Sequence, residues 1–187
     1  MPTINLPRTA IAGTVSGIGA FLAGYALTYL WLGREIESTL EPIEIVLALF
    51  QAEPIGTWRA VGWFYYGAHF VDLRVTARLG FIEATTTIDL ITQGDGNLQL
   101  LYLLPLLLLL IGGFLISVHA DAASPREGLL AGGSVILGYG PVIVIGWYLV
   151  NHNGISPDLL PTIFIAGVVY PVILGSIGGI LATRLPG

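Results

Sequence analysis

Four stretches of this chain carry no acidic or basic side chain and no histidine, and they limit what it can fold into more than any other feature. They run from Thr9 to Gly33, Gly96 to Val118, Gly128 to Asn151 and Leu159 to Thr183. As an α-helix rising 1.5 Å per residue, the first would reach about 37 Å, enough to cross a hydrocarbon core of about 30 Å with some tilt. Only 10% of the residues are charged and 55% are hydrophobic, whereas an ordinary soluble domain is about a quarter charged. The chain reads as an all-α integral membrane protein, one membrane domain over residues 1–187 with four transmembrane helices. The first stretch is too long for the h-region of a secretory signal and lacks a strongly basic leader, so it reads as a retained anchor.

The flanks support these spans. Tyr29 and Trp31 precede Arg34 and Glu35, the order expected when amphipathic rings sit at the interface and charges emerge beyond it. Pro105, Pro141 and Pro171 fall inside the second, third and fourth spans, where each is expected to kink its helix.

Between the first two spans lies a polar excursion, Arg34 to Asp95, with nine of the twelve carboxylates and four of the seven arginines. Within it, Pro42 to Ala52 reads as a short helix, because Pro suits a first turn and Ile45, Val46, Leu49 and Phe50 recur at helical spacing. Thr57 to Leu73 contains Arg59, His69 and Asp72 among six aromatic residues. Such a mixture suits an amphipathic helix at the headgroup level. Phe81 to Leu90 is rich in Thr and β-branched residues and reads as a strand or an extended loop. The turn Gln93 to Gly96 leads into the second span. The excursion is therefore expected to be an extracytoplasmic insert of short amphipathic or interfacial helices.

Charge orients the bundle. With four spans and a cytoplasmic N-terminus, Arg8, Arg126 and Arg184 share the cytoplasmic side, and the short loop around His152 has no Arg, as the positive-inside rule requires. A fifth span at Thr57 to Leu73 would put Arg126 and Arg184 outside. The expected location is the cell membrane, multi-pass, with both termini cytoplasmic.

All seven basic residues are Arg, and the net charge is -5. No basic cluster is present to bind phosphates, so no nucleic-acid partner is expected. Arg without Lys points to a GC-rich genome, and the surplus of carboxylates points to a salt-adapted surface. The chain has no Cys, which excludes disulfides, thiolate chemistry and lipidation at cysteine.

The sequence offers few groups for chemistry. His69 and Asp72 lie about one helical turn apart, and Arg59 belongs to the same stretch, so the three form a candidate interfacial polar cluster. A metal site needs three or four ligands, so no metal or cofactor is expected. No nucleophile or metalloprotease motif occurs. Within the spans, Ser16, Tyr25, Thr28, Ser134, Tyr139, Thr162, Tyr170 and Ser176 read as interhelical hydrogen-bonding groups. Gly13 and Gly17 on the first span, and Gly175 and Gly179 on the fourth, repeat at four-residue spacing and mark helix-packing faces. Those faces would seat either neighbouring helices of the same subunit or a second copy.

The stretch WRAVGWFYYGAHFVDL, Trp58 to Leu73, together with LLYLLPLLLLLIGG, Leu100 to Gly113, resembles a family of small multi-span proteins of haloarchaea that carry a domain of unknown function. That resemblance implies no activity, cofactor or catalytic residue. The expected role is a non-enzymatic structural, assembly or accessory component whose partners are the lipid bilayer and a second copy or another membrane protein. The alternative is a passive channel or small-solute transporter without intramembrane charges. An enzyme would have to assemble its site at the outer interface from His69, Asp72, Arg59 or Glu83.

Overall fold

The computed structural model describes residues 5–49, 53–79, 82–94 and 97–184. Among these, four helical stretches are long and apolar enough to cross a membrane: Leu6–Pro42, Leu98–His119, Pro125–Val150 and Leu159–Ala182. They are the first to fourth spans below, and they match the four uncharged stretches.

The first span is part of helix α1, Leu6–Leu49, a continuous run of 44 residues. Such a helix is about 66 Å long, over twice the thickness of a hydrocarbon core of about 30 Å, so it is longer than a single crossing requires. Sequence reading expected a separate short helix starting at Pro42, but Pro42 lies inside α1. Its missing N–H leaves the Ser38 carbonyl without a helical donor, a small cost because Ser38 is exposed to water. Leu32, Ile36 and Leu40, four residues apart, are all buried against the insert, and this apolar stripe carries the helix through Arg34 and Glu35. Residues 50–52 lie outside the described residues.

The second span opens with a 3-10 turn, Leu98–Tyr102, and continues as α4, Leu103–His119. Pro105 is the third residue of α4, in the first turn, where a missing N–H costs little. The third span comprises α5, Pro125–Gly133, and α6, Ile136–Val150. Ser124 caps α5 by accepting the Glu127 N–H at 3.3 Å, and the Glu127 carboxylate accepts the Ala123 N–H at 2.9 Å, closely resembling a capping box.

The fourth span begins with a short turn, Leu159–Pro161, winds as a π-helix over Thr162–Val169, and ends in an α-helix, Tyr170–Ala182. The Tyr170 N–H still bonds the Ile165 carbonyl, five residues back. Pro171 follows without an N–H, and the wide register ends there.

Glycines set how closely the spans approach. A Cβ at Gly13 or Gly17 would collide with the backbone of Ser134 or Val135, and one at Gly175 or Gly179 with the backbone of Gly132 or Gly128. All four glycines therefore seat the third span of the same chain.

The all-α expectation is overturned by a three-stranded antiparallel sheet of order β2-β1-β3. Strands β1, Leu73–Leu79, and β2, Ile82–Ile88, form a hairpin within the insert, with Leu73 opposite Ile88 and Thr76 opposite Thr85. Threonines and β-branched residues favour this pleated pairing, as the strand alternative for Phe81 to Leu90 anticipated. The third strand, β3, Ile155–Pro157, comes from the connection between the third and fourth spans and pairs with Leu73, Arg74 and Val75. Sequence reading had no signal for it, because a three-residue strand carries no periodicity.

The sheet ties the insert to the loop of spans three and four at one end of the bundle. At the other end, Arg8 Nε donates to His119 Nε2 at 3.3 Å, joining the start of the first span to the end of the second. The Asp158 N–H bonds the Asp72 carbonyl at 2.9 Å, and Arg74 pairs with the Asp158 carboxylate at 3.0 Å. Because Arg74 is half exposed in that pair, Arg74→Ala is expected to cost less than about 1 kcal/mol in denaturant titration. A loss of several kcal/mol would show that the ion pair, and not the strand pairing, holds the cap.

Candidate functional site

The second correction concerns Thr57 to Leu73. Its helix, α2, spans Thr57–Gly67, but it does not lie with one face free at an interface. Val61, Tyr65, Tyr66 and Ala68 are 0 or 1% exposed, packed between the insert and the spans. The aromatic density reflects packing with two elements, the first span and α6 of the third. Tyr25 OH donates to the Trp58 carbonyl at 2.9 Å, Trp63 Nε1 donates to the Val150 carbonyl at 3.0 Å, and Tyr66 OH donates to the Ile143 carbonyl. The Trp63 and Tyr66 rings are buried while their polar tips find an acceptor, which offsets the cost of a polar group in a dry interior.

His69 follows α2 and is 0% exposed. Its Nδ1 lies 2.8 Å from the Tyr65 carbonyl and its Nε2 2.6 Å from Tyr139 OH. Since a carbonyl can only accept, Nδ1 carries the proton, and in the neutral ring Nε2 accepts from Tyr139. Tyr139 oxygen then accepts from Tyr65 OH, 3.0 Å away. The result is a closed circuit in which Tyr65 OH donates to Tyr139, Tyr139 to His69, and His69 back to the Tyr65 backbone. Edge contacts from Phe21 and a ring contact between His69 and Tyr170 enclose it. His69 belongs to the insert and to none of the four spans. Burial lowers its pKa from 6.5 to about 4, opposed by its bond to the Tyr65 carbonyl.

The other candidate residues sit elsewhere. Arg59 is at the N-terminal end of α2, ten residues and about 15 Å of helix rise before His69. Its guanidinium lies over the Trp58 ring at 4.7 Å, and its buried Nε has no hydrogen-bond partner among the described residues. Asp72 has an exposed side chain. Glu83 lies on β2. The structure joins His69 to Tyr65 and Tyr139 instead. The spacing of Tyr65 and His69, four residues apart, was legible as a same-face pair. Tyr139 was not, because it is 70 residues away.

The opposite face of α2 borders an open groove of about 490 Å³. One wall is Leu32, Ile36 and Leu40 of α1, and the other is Ala60, Trp63 and Phe64 of α2, with Leu98 at the start of the second span. Glu35 and Thr39 are its polar lining from α1. Across the Leu40 ridge lies a second cavity of about 450 Å³, bordered by Arg34, Glu37, Glu41 and Glu44. Among the described residues, no group of three His, Cys, Asp or Glu could hold a metal ion.

Of the span hydroxyls read as interhelical, Ser176 bonds the Leu129 carbonyl of the third span, whereas Thr28, Ser134 and Thr162 bond carbonyls three or four residues back, those of Gly24, Ala131 and Asp158.

A family model described as a family of unknown function, DUF7978, matches residues 4–186. The chain belongs to that family. The match runs through all four spans, the insert and the sheet. No curated protein and no solved structure matches the chain. It is a multi-pass helical membrane protein of this family.

Proposed function

We propose that this protein is a non-enzymatic structural, assembly or accessory component of the cell membrane, with both termini cytoplasmic and its cap outside. The observation that carries the reading is the shape of α1. It continues past the end of the first span at Pro42 to Leu49, and its far end exposes Ile45 at 61% and Leu49 at 78%. These two residues are one turn apart on one face. Large apolar side chains exposed together at the far end of a helix, among the charges that follow Arg34, are the usual mark of a contact with another protein.

Two further features support the reading. Both nitrogens of His69 are occupied in the circuit, so the residue best suited to acid–base work offers neither to a substrate. The hydroxyls of Thr28, Ser134, Thr162 and Ser176 bond to backbone carbonyls of their own bundle, and Val135, Tyr139, Ile143 and Leu109 fill the interior at 0% exposure. The placement of Arg8, Arg126 and Arg184 supports the orientation.

Crosslinking and native mass spectrometry of the full chain in mild detergent test the proposal. A dimer or a complex with a second membrane protein is expected, and Ile45→Asp with Leu49→Asp should abolish it while the bundle stays folded. A strictly solitary monomer would sink it. Single cysteines placed at Thr85 and Asp121 test the orientation, since the first should react with an impermeant maleimide in intact cells and the second only after lysis.

A further inference from the structure

The groove beside α2 is unexplained by assembly at the tip of α1, and its chemistry identifies a ligand class. Its lower end lies at Leu32, where the uncharged stretch Thr9 to Gly33 ends, and at Leu98, where the second span begins. From Leu32 to Leu40 it runs along α1 for about 12 Å. It therefore opens at the level of the membrane surface and rises away from it.

The groove's volume of about 490 Å³ is ordinary for a small-molecule site, typically about 300–1,000 Å³ and mainly apolar with a few polar groups. Its apolar run along α1 suits one alkyl tail.

Charge decides the head. From Arg34 to Glu44, α1 carries Glu35, Glu37, Glu41 and Glu44 against the single cation Arg34. Glu44 is committed, accepting the Gly56 N–H at 3.2 Å. Glu35 lines the groove itself, and among the described residues its carboxylate has no hydrogen bond or ion pair. Trp63 and Phe64 on the facing wall add aromatic surface, which attracts cations. An anionic head would meet four carboxylates and one arginine along this ridge.

We propose that the groove binds an amphiphile with a single apolar tail and a cationic head, the tail lying along Leu32, Ile36 and Leu40 and the head reaching Glu35. Such a ligand enters from the bilayer, tail first into the gap between α1 and α2. Its head remains at the water boundary among the carboxylates.

The test uses the full chain in lipid nanodiscs and a dodecyltrimethylammonium ion bearing a photoreactive diazirine in its tail. Adducts mapped by mass spectrometry are expected on residues 32–40 and 60–64. Unlabelled dodecyltrimethylammonium should compete at least tenfold better than dodecyl sulfate. Glu35→Gln should reduce saturable labelling at least fivefold, and Thr39→Trp, which places an indole in the groove from an exposed position, should abolish it. Both positions are exposed, so the variants are expected to keep the wild-type unfolding temperature, which is checked in the same preparations. Equal competition by the anionic amphiphile would overturn the proposal. So would labelling spread evenly over the lipid-facing spans, or labelling that survives Thr39→Trp. These outcomes do not depend on oligomeric state, so failure here and failure of the assembly reading are separate results.

Discussion

Gly179→Leu is expected to leave little or no folded bundle in detergent. Gly179 sits where the fourth span crosses α5, and a Cβ there would overlap the carbonyl of Gly128 and press on the Cα of Gly132. These are backbone atoms and cannot rotate aside, so the helices must separate. The Ser117 hydroxyl also bonds the Gly179 carbonyl at 3.0 Å, so separation breaks a buried bond to the second span as well. Overpacking a tight core costs about 1–3 kcal/mol, and more when the backbone itself is in the way. Lipid cannot offset the loss, because close packing and interhelical bonds are what hold membrane helices together. Gly19 supplies the control: nothing lies within 4 Å of a Cβ built there, so Gly19→Leu should change stability by less than about 0.5 kcal/mol. The readout is the monodisperse fraction on size exclusion and the unfolding temperature of each variant. Equal behaviour of the two would refute the seam.

His69→Ala should be the most damaging substitution in the insert, lowering stability by about 4 kcal/mol. Truncating a large buried side chain to Ala costs about 2–5 kcal/mol through lost contacts and the cavity left behind, and the Tyr139 hydroxyl loses its acceptor in a dry interior, worth about 1–3 kcal/mol. In a protein of this size that corresponds to roughly 10 °C in unfolding temperature. Tyr139→Phe keeps the volume and should cost about 2 kcal/mol by leaving His69 Nε2 without its donor.

The same residue predicts a pH dependence. The folded pKa of His69, about 4, lies below its ordinary 6.5, so the unfolded chain takes up the proton first as pH falls. The stability held by neutral His69 is complete above about pH 6.5 and declines as pH drops toward 4, by about 3 kcal/mol in all. His69→Phe should remove that part of the slope, and the comparison with wild type isolates it from the carboxylates. Parallel pH profiles for the two proteins would show that His69 does not titrate on unfolding.

The spans were the most legible part of the chain because their cause is local. A run without charges has one stable solvent, and its length says whether it crosses. The glycine spacing at Gly13, Gly17, Gly175 and Gly179 was equally visible, since one helix face is a matter of residue spacing. The end of α1 was not. Arg34, Glu35 and Pro42 are local signs of a stop, and they are outweighed by burial of Leu32, Ile36 and Leu40 against an insert distant in sequence. The aromatic stretch Trp58 to Phe70 was visible as amphiphilic, yet amphiphilicity alone does not say whether the apolar body faces lipid or protein. Its acceptors on Ile143 and Val150, and the hydroxyl of Tyr139, decide that, and they belong to the third span.

By itself the sequence determined that this chain lives in a bilayer, where its four crossings fall, and that it lacks thiol chemistry, because solvent preference and composition are properties of each segment alone. Only the tertiary structure decided that the insert and the loop between the third and fourth spans share one sheet, that His69 closes a circuit with Tyr65 and Tyr139, and that a groove opens beside α2. Each of these arises from segments far apart in the chain, and the pairing of a strand, a hydroxyl or a cavity wall is fixed by what arrives opposite it when the helices pack.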